Sequence, residues 1–301
     1  MDEQVSPTTM KFIVITGGSR GLGRFTANKL ARLGHRVILT ARNPTAGEET
    51  VAEIRRARPD AQVETRRLDL ASLASIREFS RRLVDEGAAL DVLFHNAGVM
   101  QQSPTRRVSA EGYEETLAVN ALGPYLLTHE LWPALRRSSQ ARVVCVSSRL
   151  HLPDSRGEPV DFDFDDPQLE TRYHPDRAYK NSKLALLWFT YELARRTAST
   201  SITANAVCPG FVPVTAAEST HGFSRWFLRH VLAHMPFAES VEGATDSFVF
   251  MSLDPSLDAI TGEFFGEQQA IASSPASHDA ALARRFWDEA ARLTGVDADW
   301  P

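Results

Sequence analysis

A short apolar run, Lys11-Phe12-Ile13-Val14-Ile15-Thr16, leads directly into Gly17-Gly18-Ser19-Arg20-Gly21-Leu22-Gly23, and a helical pattern then runs to Leu33. The run reads as a buried strand, and Gly34 reads as the C-terminal cap of the helix. Strand, glycine-rich turn, helix is the context in which glycines let a backbone approach a pyrophosphate. The helix N-terminus then adds N–H groups and a positive dipole. A tight turn without a ligand is the weaker reading of the same residues. The spacing is Gly-x-x-x-Gly-x-Gly, not the Gly-x-Gly-x-x-Gly of the common dinucleotide fingerprint.

The second strand, Arg36–Arg42, sharpens that reading. In nucleotide-binding βαβ units an acid near this point binds the ribose 2′-hydroxyl. Here Ala41 and Arg42 occupy it, with Arg20 in the glycine loop. Two guanidiniums suit a 2′-phosphate, which arginine grips in a bidentate fork, so NADP is expected over NAD.

The alternation continues. A helix at 46–57 precedes a strand at 62–70 containing Asp69. A helix at 72–86 then leads to a strand at 91–95, closed by Asn96-Ala97-Gly98. Further strands are expected at 142–147, 202–208 and 262–265, with helices at 111–139, 240–253 and 280–293. This pattern predicts an α/β fold: a single Rossmann-type, doubly wound domain with a seven-stranded, mostly parallel sheet of order 3-2-1-4-5-6-7 and helices on both faces. No repeat or linker divides it, so residues 10–295 read as one domain behind a disordered tail, 1–9.

The chemistry gathers at Tyr179-Lys180-Asn181-Ser182-Lys183, which opens a helical segment running to Arg196. Residues four apart share a helix face, which sets Lys183 beside Tyr179. A free phenol, with a pKa near ~10, is a poor proton carrier at neutral pH, and a nearby ammonium favours its ionised form. Upstream, Asn120 lies inside an apolar helix and needs a partner if buried. Pro124 removes the N–H that would meet the Asn120 carbonyl, leaving a seat for an ordered water. Ser147 and Ser148 end the fifth strand, and Pro209-Gly210 follows the sixth.

Composition excludes several other classes. A net charge of −5 argues against nucleic acid as the main partner. Two cysteines, Cys145 and Cys208, exclude a disulfide framework. No run approaches ~18 apolar residues, so no integral membrane segment is expected, and the protein reads as cytoplasmic. The acids of 161–166 lack the glycine and glutamate that a calcium loop starting at Asp161 needs, and no metal site is expected. His151 and His174 read as solvated loop residues. The segment 211–238, with Phe223, Trp226 and Phe227 among arginines and histidines, reads as a hydrophobic lid over a substrate.

Taken together, Thr16–Gly23, Asp69, Asn96-Ala97-Gly98, Asn120, Ser148, Tyr179-x-x-x-Lys183 and Pro209-Gly210 resemble the short-chain dehydrogenase/reductases over residues 10–295. Ala41-Arg42, Val99-Met100 and Ser182-Lys183-Leu184-Ala185 look most like the retinol-dehydrogenase and WW-domain-oxidoreductase branch. The resemblance implies hydride transfer between NADP(H) and a carbonyl or alcohol of a bulky, lipophilic small molecule. Tyr179 would be the acid or base, Ser148 its partner on the substrate oxygen (Ser147 the runner-up), and Lys183 the residue lowering the Tyr179 pKa. Asn120 would hold a water linking Lys183 to solvent. Cofactor contacts are implied at Gly17, Ser19, Arg20, Gly21, Leu22, Gly23, Arg42, Asp69, Leu70, Asn96, Ala97, Gly98, Tyr179, Lys183, Pro209, Gly210 and Val212.

Two positions depart from the pattern. His95 replaces an asparagine, and Thr215 falls one place late after Pro209-Gly210. Oligomeric state is open, though relatives often form homodimers through the helices at 111–139 and 176–198. The rival readings are an NAD-dependent alcohol dehydrogenase, a non-catalytic NADP-binding sensor or scaffold, and a membrane-associated lipid-modifying enzyme docking through 223–235.

Overall fold

A computed structural model describes residues 9–213, 235 and 238–301. The N-terminal tail, Thr215 and nearly all of the expected lid lie outside these residues.

Strand β1 (Phe12–Ile15) sits at the centre of a parallel sheet, every residue buried. Beside it lie β2 (Arg36–Ala41) and then β3 (Val63–Arg67) on one side, and β4 (Val92–His95), β5 (Ala141–Val146) and β6 (Ile202–Cys208) on the other. β7 (Phe264–Gly266) continues the parallel order, pairing Ala206 with Phe264. A short eighth strand, β8 (Gln269–Ala270), turns back antiparallel on β7, so the order is 3-2-1-4-5-6-7-8. The sequence reading missed this strand because its turn carries no glycine. Glu267 and Gln268 themselves adopt positive φ, 51° and 65°.

Among the described residues the helices are α1 (Gly21–Arg32), α2 (Pro44–Ala57), α3 (Leu73–Asp85), α4 (Glu115–Leu117), α5 (Gly123–Leu135), α6 (Pro175–Arg196), α7 (Val241–Leu253) and α8 (Ala280–Thr294). They form two layers. Leu30, Ile54 and Phe248 join one buried cluster with α1, α2 and α7, while Ile76, Leu127, Leu187 and Phe286 join the other with α3, α5, α6 and α8. The α3 stripe shows why such sequences fold this way. Ile76, Phe79 and Leu83 recur at helical spacing and are buried, and the Ser72 side chain caps the helix by accepting from Ser75 N–H. Truncating one such core side chain to alanine costs about 2–5 kcal/mol.

The expected helix at 111–139 is shorter and is interrupted. It begins at Glu115 and passes through a π turn, Ala118–Leu122, in which Gly123 N–H bonds the Ala118 carbonyl. Pro124, having no N–H, cannot close the ordinary turn onto Asn120. The third strand stops at Arg67, which leaves Asp69 and Leu70 in the turn beyond it.

Two further findings concern the C-terminal end of the chain and α6. Residues beyond 295 belong to the fold. Trp300 is buried, donates to Tyr125 Oη at 2.8 Å, and lies 4.6 Å from the Trp287 ring. Arg196 holds the Ala298 and Trp300 carbonyls, each at 2.9 Å. α6, one of the expected pairing helices, is buried at every residue from Asn181 to Ala194 within this one chain. α8 and the turn at 275–278 pack against it.

Candidate active site

The loops that follow β1, β4, β5 and β6 meet at one end of the sheet. The glycine turn there is stitched to the loop after β4. Asn96 Nδ2 donates to the carbonyls of Thr16 at 2.9 Å and Gly17 at 3.2 Å, and Ala97 N–H donates to Thr16 Oγ1 at 3.0 Å. Two glycines are required by this geometry. Gly17 has φ +68°, and a Cβ on Gly23 would collide with the Asn96 amide and the Gly17 carbonyl. Arg20 enters α1 extended, its own side chain makes no capping bond, and the first turn of the helix holds no acid. An acid-free helix start above a turn too tight for side chains fits a dinucleotide pyrophosphate. Arg20 and Arg42 are exposed and have no ion-pair partner among the described residues, which fits an added phosphate. Asp69 accepts from Ala71 N–H at 3.0 Å, Leu70 is buried beside Gly123, and Pro209, Gly210 and Val212 follow β6 at the same end.

The expected reacting groups also converge. Tyr179 and Lys183 stand one turn apart near the start of α6, whose N-cap is His174, exposed and accepting from Asp176 N–H. The Ser148 hydroxyl lies close enough to the Tyr179 hydroxyl to lower the phenol's pKa. Ser147 points the other way, into the protein, where its hydroxyl donates to the Lys183 carbonyl at 3.2 Å. Lys183 Nζ is buried, donates to the Val146 carbonyl at 2.9 Å, and lies 5.5 Å from the Tyr179 ring centroid.

The electrostatics differ from the sequence expectation. Burial raises the Tyr179 pKa above its ordinary 10, and the Ser148 hydrogen bond opposes that rise only in part. Burial pulls the Lys183 pKa down to about 8, with the nearby Cys145 and Cys208 thiols pushing the other way. Lys183 therefore does not bring the phenol below its usual range here. Desolvation is the largest cause of the shift in both groups.

Asn120 makes three side-chain hydrogen bonds within the protein. Its Oδ1 accepts from Val99 N–H at 2.8 Å, and its Nδ2 donates to the Val99 carbonyl and Ser182 Oγ, both at 2.9 Å. It ties the loop after β4 to α6, a role the sequence reading did not assign to it. His151 was read as solvated. It is 1% exposed and touches the Ser148 carbonyl through Nδ1. Its other partner, Ser274, lies 123 residues away, so no local signal marked it. The acids of the 161–166 stretch do turn and pairing work, Asp166 accepting from Glu170 N–H at 2.7 Å and Asp161 pairing with Arg177.

A short chain dehydrogenase profile matches residues 11–157. Human retinol dehydrogenase 13 is 35% identical over 293 residues, covering 96% of this chain and 86% of that protein. The chain belongs to the short-chain dehydrogenase/reductase family. Within that family it falls in the retinol dehydrogenase branch. Human polyprenol dehydrogenase is 33% identical, covering 96% of this chain and 87% of its own length. Among solved structures, an uncharacterised protein from Mycobacterium paratuberculosis superposes with a TM-score of 0.74 at 30% identity, covering 98% of this chain and 97% of that one. This short-chain dehydrogenase/reductase is accordingly an oxidoreductase that uses a nicotinamide cofactor on a small molecule. Among the described residues no helix is long and apolar enough to cross a membrane.

Proposed function

We propose that this protein is an NADPH-dependent reductase of bulky, apolar aldehydes or ketones, able to run the matching alcohol oxidation through the same groups. The observation that carries this reading is the convergence of the Ser148 and Tyr179 hydroxyls beside the buried Lys183. The nicotinamide, when bound, supplies or takes the hydride. The rest is done by the chain. Tyr179 gives its proton to the substrate oxygen as negative charge grows there, or removes it in oxidation. Ser148 hydrogen-bonds the same oxygen. Lys183, anchored on the Val146 carbonyl, keeps a positive charge behind the phenol at neutral pH, since that lies below its pKa of about 8. Asn120 holds the loop after β4 against the helix that carries both groups.

NADP is favoured over NAD by Arg20 and Arg42, exposed at the glycine turn and the end of β2 without ion-pair partners among the described residues. An apolar substrate is favoured by exposed apolar side chains in the segments that follow the strand ends. Met100, Leu150, Phe211 and Met235, in the loops after β4, β5 and β6, are each at least 40% exposed. The names of two relatives, retinol and polyprenol dehydrogenase, point the same way.

The test starts with tryptophan-fluorescence titrations of NADPH and NADH. NADPH binding at least tenfold tighter, about 1.4 kcal/mol, supports the arginine reading. NADPH-dependent reduction of all-trans-retinaldehyde, followed chromatographically, then supports the substrate class. Equal or tighter NADH binding would overturn the cofactor assignment and make NAD-dependent alcohol oxidation the better reading.

A further inference from the structure

Ser148 is held from behind. Its backbone carbonyl accepts from Nδ1 of His151, which closes the short 3-10 segment Arg149–His151. The other ring nitrogen, Nε2, accepts from Ser274 N–H at 3.1 Å. One nitrogen donates and the other accepts, so the two contacts fit a single neutral tautomer with its proton on Nδ1. The ring stands edge-on to Phe264, centroids 5.0 Å apart at 87°. Ser274 opens the turn Pro275–His278, and that turn is pinned to α6. Trp188 Nε1 donates to the Ala276 carbonyl and Tyr191 Oη to Ser273 Oγ, both at 2.8 Å. His151 thus joins the loop bearing Ser148 to a segment fastened on the helix bearing Tyr179 and Lys183.

We propose that His151 is a positioning residue for the reaction, fixing the Ser148 hydroxyl against Tyr179 through the Ser148 carbonyl, while its other ring nitrogen separately anchors the turn at Ser274. This rests on reading Ser148 and Tyr179 as the reacting pair. A ring that merely filled space would need neither nitrogen contact, and an apolar side chain of similar size would serve in its place.

Two amide substitutions separate the contacts. In His151→Asn the amide N–H stands where Nδ1 was, so the donor to Ser148 is kept and the acceptor for Ser274 is lost. His151→Gln does the reverse. Retinaldehyde reduction with NADPH should lose at least tenfold in kcat in His151→Gln, with the NADPH Kd unchanged. His151→Asn should stay within about threefold of the parent. Peptide-resolved hydrogen exchange on the cofactor-free protein gives a second readout that needs no turnover. His151→Gln should loosen 147–152 and spare 272–278, and His151→Asn should do the opposite. Equal loosening of both peptides by both variants, or full kcat in His151→Gln with a loosened 147–152, overturns the proposal. If the parent protein fails to reduce retinaldehyde, that failure falls on the proposed substrate, and the exchange pattern alone decides the role of His151.

Discussion

Ser147 and Ser148 are neighbours in the chain and face opposite ways. The Ser147 hydroxyl is buried and donates to the Lys183 carbonyl, while the Ser148 hydroxyl meets that of Tyr179. The strand pleat at the end of β5 sends adjacent side chains to opposite sides. Ser148→Ala is therefore expected to cut kcat/KM roughly 10²–10³-fold with the melting temperature unchanged. Ser147→Ala should keep activity within several-fold and lose about 1 kcal/mol of stability. Steady-state kinetics and urea unfolding on both variants check this, and the reverse pattern would exchange the two roles.

Tyr179→Phe removes the hydroxyl and keeps the ring under Lys183 Nζ. Turnover should fall below detection while NADPH affinity by fluorescence stays within about twofold. Residual turnover at a tenth of the parent rate or more would remove Tyr179 from the proton-transfer role.

Lys183 gives a pH signature. Its folded pKa is about 8 against an ordinary 10.5, so between those values the unfolded chain binds the extra proton. Stability from this group therefore rises with pH across that window, and below it burial of the charge costs on the order of 3 kcal/mol. Urea unfolding between pH 7 and 10 should show that rise in the parent relative to Lys183→Met. Parallel curves for the two proteins would contradict a buried, charged Lys183.

His95 should act at the other end of the scale. It is buried, its Nε2 lies 2.8 Å from Thr128 Oγ1, and desolvation lowers its pKa to about 3. The folded state keeps it neutral while the unfolded chain takes a proton below its ordinary 6.5, so stability is lost as pH falls from there toward 3. His95→Asn removes that titration, and its acid unfolding midpoint should move to lower pH. An unchanged midpoint would place the acid sensitivity elsewhere.

The C-terminal strap should govern both stability and assembly. Trp300 packs on Tyr125 and Trp287, and α6 is covered within the chain. Trp300→Ala should cost about 3–5 kcal/mol in urea unfolding. Light scattering should find the parent monomeric, and a dimer whose interface includes Asn181–Ala194 would contradict the packing seen here.

Local signals were readable. Buried strands announce themselves by apolar runs, and the Gly17–Gly23 turn by its spacing. Tyr179 and Lys183 share a face by helix geometry alone. These features depend on residues within a turn or two of each other. The interrupted helix at Asn120 was half-readable, since Pro124 marks the break but says nothing of Val99 and Ser182, which take up the side chain.

Order along the chain was thus enough for the parallel sheet and the glycine turn, and it set Tyr179 and Lys183 on one helix face. Folding in three dimensions decided the rest. It alone brought Ser274 to His151 across 123 residues and Trp300 to Tyr125 across 175. It also set the pKa of Tyr179 above its free value and that of Lys183 below it. The reason is physical. Backbone propensity and side-chain periodicity are short-range properties, whereas desolvation and long-range contact exist only once distant segments have closed over the same site.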